Sequence, residues 1–190
     1  MKKKLLLILT LLLIVLSPIT ADAKSSKKQV NDTIKKYFKY VKKSDIKNID
    51  KMAYNNKYKI KDASGWEENK YVYKYIKKYN KKVTYKILST SVKGNKATSK
   101  IKVKYVDSTD VYPNLFLVVL SDSFAGVNID AKDYMEKSWN RAVKMSNVKM
   151  KSRTITVKFQ KKNGKWLIKS KNLANIAVAD LIHSAEQLEE

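Results

Sequence analysis

The chain has 190 residues, no cysteine, one histidine and a formal charge of +24, from 41 Lys and Arg against 17 Asp and Glu. These figures exclude disulfides and thiolate chemistry, and they leave too few nitrogen and sulfur ligands for a zinc-type metal centre. The length suits one domain with a core of its own.

The first 23 residues read as an address. Lys2, Lys3 and Lys4 precede an apolar run from Leu5 to Leu16, Ser17-Pro18 breaks it, and Ala21-Asp22-Ala23 gives a small-x-small site. This pattern predicts a secretory signal peptide cut after Ala23, a single domain over 24–190 and an extracellular or envelope-associated product. The apolar run falls short of the ~20 residues a membrane span needs. With no cysteine behind it, a lipid anchor is not expected, and the Gln187-Leu188-Glu189-Glu190 ending carries no apolar sorting segment.

Val30, Ile34, Tyr37/Phe38 and Val41 recur at helical spacing after a polar leader, with Lys35, Lys36, Lys39, Lys42 and Lys43 on the other side. Ser44 is the expected cap of a second helix bearing Ile46, Ile49 and Met52. Ser64 is the expected cap of a third, with Glu67 and Glu68 in its first turn and an apolar stripe of Val72, Tyr75/Ile76 and Tyr79. Tyr71, Tyr73 and Tyr75 also alternate as a strand would.

Val83, Tyr85 and Ile87 then alternate with polar residues, and Ala97, Ile101, Val103 and Tyr105 alternate after Lys93-Gly94-Asn95. A three-residue loop at 93–95 pairs Ile87 with Ile101 and Tyr85 with Val103, whereas a two-residue loop sets Ile87 against Lys102 and ruins the face. Lys100, Lys102 and Lys104 line the wet face. Pro113 and Asp130 are expected to open two helices, the first containing the apolar block Leu115–Leu120, which is read as core or as a lid over a pocket. Ile155, Val157 and Phe159 lead to the turn pair Asn163-Gly164, after which Trp166 and Ile168 return. Asn172 is the expected cap of a final helix with Ala174, Val178, Leu181/Ile182, Ala185 and Leu188 on one face.

Together these elements predict an α+β fold. An antiparallel sheet of about four or more strands packs on N-terminal helices, with a helical insertion between two hairpins. Thr84-Tyr85-Lys86-Ile87 with Val92–Ala97 and Ile101–Asp107, and Ile155–Phe159 with Lys162–Ile168, resemble the hairpins of the nuclear-transport-factor-2-like, or cystatin-like, superfamily. The small secreted Gram-positive domains of that type are the nearest likeness. The resemblance implies a sheet curved around a long helix into a cone with a pocket, in which Tyr85, Tyr105 and Trp166 are candidate lining residues. It implies no single reaction, since such folds host isomerases, hydratases and non-catalytic binders.

No hydrolase, zinc-protease, nucleotide or EF-hand motif is present, and no cofactor is implied. His183 has Asp180 and Glu186 three residues to either side, a carboxylate–imidazole arrangement that a solvated helix surface also produces. Asp107 and Asp110 read as paired carboxylates or as a strand-end turn. Tyr54, Tyr58 and Trp66 fall in less patterned sequence and are candidates for stacking on a ligand.

Residues 24–107 hold 25 cations against 7 acids, and residues 108–190 hold 13 against 9. That asymmetry attracts polyanions. Only Arg141 and Arg153 are arginines, which argues against specific nucleic-acid readout. The abundance of Lys, Asn, Ile and Tyr is also what AT-rich coding yields. The expected function is a secreted, non-catalytic binding domain, with Lys35, Lys39, Lys42, Lys43, Lys100, Lys102 and Lys104 meeting anionic wall polymer or lipid. The alternatives are a small-pocket isomerase or hydrolase, or a membrane-active or adhesive factor driven by lysines and the 115–120 block.

Overall fold

The computed structural model describes residues 24–60, 63–186 and 188; the predicted signal segment and its Ala23 site lie outside them. Helix α1 spans 24–43. Its residues Val30, Ile34, Tyr37, Phe38 and Val41 are all buried, as an amphipathic stripe requires. The helix begins earlier than the apolar pattern does, because Lys24 to Gln29 contain good helix formers and no breaker.

Ser44 ends α1 instead of starting the next helix. It has a left-handed backbone (φ 52°), and the following Asp45 N–H reaches back to Tyr40 O at 3.0 Å. Its buried hydroxyl accepts from Asn80 Nδ2 at 3.1 Å, so Asp45 takes over the cap of α2 (Ile46–Asp50), accepting from Asn48 N–H. A 3-10 turn follows at Asn56–Tyr58.

The expected third helix is two helices, α3 (Ala63–Glu68) and α4 (Lys70–Asn80). Asn69 interrupts them and caps α4 through Val72 N–H. The Ser64 side chain lies outside the described residues.

The sheet is a four-stranded antiparallel meander in the order β1-β2-β3-β4. Its strands are β1 (Thr84–Lys93), β2 (Lys96–Asp107), β3 (Lys149–Lys162) and β4 (Lys165–Ile168). Lys93 pairs with Lys96, so the first loop has two residues, not three, with Gly94 at φ 54°. Ile87 still meets Ile101 and Tyr85 still meets Val103, because the ladder slips by one residue between Ile87 and Ser89. Leu88 is the extra residue of this β-bulge and points to solvent. The bulge restores the face that a two-residue turn alone would invert. In the second hairpin Asn163 and Gly164 both have positive φ, and Phe159 pairs with Ile168.

Deleting Leu88 therefore leaves every inward side chain of β1 inward. Deleting Lys86 turns Tyr85 away from Phe38, on which it stacks at 4.1 Å. Urea unfolding is expected to show a small shift for the first deletion. For the second, a loss of about 2–3 kcal/mol follows from exposing an aromatic ring. Equal effects would mean that the bulge does not set the register.

Between β2 and β3 the chain forms an antiparallel helical hairpin, α5 (Val111–Phe124) and α6 (Tyr134–Met145). The block Leu115–Leu120 joins the core on one face only. Leu115 and Val118 point inward, while Phe116, Leu117 and Leu120 are exposed, because a helix can bury only one face of a continuous apolar run. Asp133, not Asp130, stands at the N-cap of α6. Asp122 on α5 is buried and takes two hydrogen bonds from Arg141 Nη1 on α6, at 2.9 and 2.6 Å.

The expected final helix is also split, into α7 (Lys171–Ala177) and α8 (Leu181–Glu186). Ser170, not Asn172, stands at the N-cap position of α7, without a side-chain capping hydrogen bond, and Asn172 lies inside the helix. Ala179 and Asp180 both take left-handed conformations between the two helices. This C-terminal segment is central to the core: Leu173, Ile176, Ala177, Val178 and Leu181 are buried. Its backbone is held from three elements, by Tyr37 OH donating to Leu173 O, Asn80 Nδ2 to Ala177 O (2.7 Å) and Ser108 Oγ to Ala179 O (2.7 Å).

Candidate functional site

The outer face of the sheet carries a row of lysines. Ile101, Val103 and Tyr105 are buried, so Lys100, Lys102 and Lys104 project to the other side. Lys102 lies directly between Lys86 on β1 and Thr154 on β3; Lys104 lies between Thr84 and Ser152. Lys100 is flanked by Ser89 and Thr156, and Lys158 adjoins Thr98.

Five lysines are thus set among Ser and Thr, about 6.7 Å apart along a strand. The only carboxylate within the four strands is Asp107, which turns to the other side to meet Lys151. Lys86 opposite Lys102 is a like-charge pair, which a sheet forms only at a cost in stability. An anionic ligand lying across the two would relieve it.

Lys35, Lys39, Lys42 and Lys43 are exposed on α1, whose other side packs on the inner face of the sheet. The two lysine groups are therefore two surfaces in different layers, with the sheet between them. Lys35 is also ion-paired to Asp32 at 3.2 Å. A further basic groove runs along α4, lined by Lys70, Lys74, Lys77, Lys78 and Lys81 with Glu67 and Tyr73. Sequence periodicity sees only the apolar stripe of that helix and gives no reason to single the groove out.

The three aromatic pocket candidates part company. Tyr85 is half-buried in its stack on Phe38. Trp166 is buried under β4 and borders a shallow groove with Lys36, Tyr40 and Lys165. Tyr105 lines a separate open cavity of about 330 Å³ between the inner face of the sheet and α7–α8.

The cavity floor is Tyr105, Ile155, Ala174, Ile176 and Ile182. Around it stand Lys57, Lys59, Arg153 and Lys171, none ion-paired among the described residues, with Asn172, Asn175, His183 and Glu186. Burial, and then the nearby Asp180 carboxylate, raise the Tyr105 pKa, so its hydroxyl stays protonated at neutral pH. Four cations over an apolar floor suit one small anionic group attached to an apolar body.

Behind the cavity lies an ionic cluster built on the buried Asp180, with Lys151 and Asp107 partly buried. Lys151 Nζ is 2.6 Å from Asp180 and 3.1 Å from Asp107, and stands 5.2 Å from the centre of the Tyr105 ring. Asn175 Nδ2 donates to the other Asp180 oxygen at 2.6 Å. Burial raises the Asp180 pKa against the pull of Lys151. For Lys151 burial acts downward, but its hydrogen bond to Asp180, that residue's charge and Asp107 outweigh it, and the net shift is upward.

The expected carboxylate–imidazole group resolves differently. Asp180 is bound to Lys151 and Asn175, while His183 and Glu186 line the cavity. Asp107 and Asp110 do not pair. Asp107 accepts from Thr109 and meets Lys151, while Asp110 is exposed at the start of α5.

Among the described residues no group of three His, Cys, Asp or Glu could hold a metal ion. Among them too, no helix is long and apolar enough to cross a membrane. Comparison with protein-family models, curated proteins and solved structures finds no match to this chain, so the chemistry of these surfaces is what carries any functional conclusion.

Proposed function

We propose that this protein is a secreted, non-catalytic binding domain of the nuclear-transport-factor-2-like type, held to anionic polymer or lipid of the cell envelope through its lysine faces. The observation that carries the reading is the outer sheet face, where Lys86, Lys100, Lys102, Lys104 and Lys158 stand among hydroxyls with no carboxylate. Lysine is a hydrated point charge without arginine's bidentate fork, so it favours repeating phosphate over a base edge or a single planar carboxylate. The strand repeat sets these charges at regular intervals along a line, as a linear polyanion requires. A four-stranded sheet packed on α1, with a cavity beneath α7–α8, is compatible with the cone that the resemblance implies.

The triple variant K86Q/K102Q/K104Q tests the reading. On a phosphate-rich wall polymer the parent is expected to elute with rising salt, its log affinity falling linearly with log salt. The variant should bind at least tenfold more weakly, with a salt slope shallower by about 2, at roughly 0.7 for each phosphate that is no longer neutralised. Retention that ignores salt, or an unchanged variant, overturns the reading. Anionic vesicles run in parallel distinguish lipid from polymer as the source of the phosphate.

The cavity favours a second reading. Its four cations and His183 fit the phosphate or carboxylate head of a small ligand, with Ile155, Ile176 and Ile182 against the ligand's apolar part. A small-pocket enzyme would use the same cavity.

A further inference from the structure

We propose that the outward face of the α5–α6 hairpin is the surface through which two copies of this chain associate. Phe116, Leu120 and Phe124 recur every four residues along α5, with Leu117 beside them, and all four are exposed, Phe124 at 86%. Val127 and Ile129, in the connection to α6, extend the exposed apolar surface past the end of the helix. Monomers rarely show a contiguous apolar patch of this kind without a use for it.

The charge around the patch selects its occupant. Residues 108–148 hold four cations against five carboxylates, a net of −1 in a chain of +24. The only charge on α5 is Asp122, which is buried and bound to Arg141. A two-fold contact sets a patch against itself, so its charge meets an equal charge. The lysine faces of the sheet, α1 and α4 would repel one another in such a contact. The hairpin meets its copy with almost no net charge and removes apolar surface from water on both sides.

Anionic lipid would instead draw the lysine faces and gain nothing from a hairpin whose four cations over residues 111–145 are matched by four carboxylates. The exposed side chains make up an area of the order of the ~800 Å² per partner that a specific interface buries.

Sedimentation equilibrium of the purified protein tests the proposal, which stands apart from the anion-binding reading. A dimer is expected at micromolar concentration. It should be held as well or better at high salt, because the contact is apolar and salt screens the lysines of the two copies. F116E/F124E should weaken it by about a hundredfold, the scale of interface hot spots. L88E, an exposed apolar position on the β1 bulge, should leave it unchanged.

The absence of native cysteine gives a second measurement that does not depend on the charge variant folding. Phe124→Cys should form a disulfide-linked dimer on mild oxidation, and Ser91→Cys on β1 should not. A monomer throughout, a dimer dissolved by salt, or a dimer indifferent to F116E/F124E overturns the proposal. So does a monomer that binds neutral vesicles through Phe124, which would make the patch a lipid contact.

Discussion

Replacing Lys151 with methionine is expected to cost about 3 kcal/mol at neutral pH, at the lower end of what breaking a buried ion pair costs because Lys151 keeps some exposure. The loss comes from what the substitution leaves behind. Asp180 is 1% exposed, and without Lys151 its remaining partners are Asn175 and the more distant His183. Burial already raises its pKa, and removing the ammonium raises it further, so the folded variant takes up a proton that the unfolded chain does not bind.

The sign follows from that uptake. A carboxyl with a folded pKa above its unfolded value favours the fold when protonated and loses that contribution as pH rises through the folded value. The K151M deficit is therefore smaller at pH 4 than at pH 7. Lys151 acts on the alkaline side: its raised pKa gives stability below the ordinary lysine value and loses it as pH climbs through the folded one. Asp107, held low by Thr109 and Lys151 despite burial, opposes Asp180 in acid, since its contribution fades as pH falls through its folded pKa. The double variant K151M/D180N should recover most of the loss. Urea unfolding followed by tryptophan fluorescence at both pH values decides the matter, and equal K151M deficits at the two would refute this account.

Trp139→Ala carries the other large effect. Trp139 is the hub of an aromatic cluster, with Tyr71, Tyr75 and Tyr112 ring centres 5.6–5.8 Å away. It fixes α6 to α4 and α5, and it abuts Tyr75, whose hydroxyl continues through Ser108 to Ala179 O. Truncation of a buried Trp costs about 3–5 kcal/mol. Phe124→Ala, a larger exposed surface on the neighbouring helix, should change monomer stability by under about 0.5 kcal/mol. Calorimetry at a concentration where the protein is monomeric separates the two, and comparable losses would mean that the hairpin packs differently.

The pattern of the sequence carried some features and not others. Period-two and period-3.6 runs located the hairpins and the stripe of α1, because burial of one face is what creates those runs. The register of the second hairpin followed from Asn163-Gly164, a pair that accepts two positive φ values readily. The first did not, because the sequence around Leu88 has no mark of a bulge, and a longer loop gives the same distal register. The break at Val178–Asp180 and the shift of the cap from Ser44 to Asp45 involve partners far away in the chain, Lys151 and Asn80, whereas Asn69 caps α4 through the nearby Val72 N–H.

The site was less legible still. Lys100, Lys102 and Lys104 could be read from alternation. However, their neighbours Lys86 and Lys158 come from other strands, and the cavity gathers Lys57, Arg153, Lys171 and His183 from four separate segments. Composition hid these groupings, because lysine is everywhere and no single one stands out.

The way residues 173–181 sit in the core bears on how the chain reaches its fold. Tyr37 is tied to Leu173, 136 residues later, and Asn80 to Ala177, 97 residues later. Such contacts carry a loop-closure cost that local pairing does not. A chain threaded or synthesised from its N-terminus can form α1 and both hairpins early. It cannot shut the space between them until residues 173–181 have arrived. Until then the inner sheet face, with Tyr105 and Ile155, stays open to solvent and to other chains. The final step is then an insertion of α7 into a waiting groove, and its rate, more than that of the hairpins, governs how long the apolar interior is exposed.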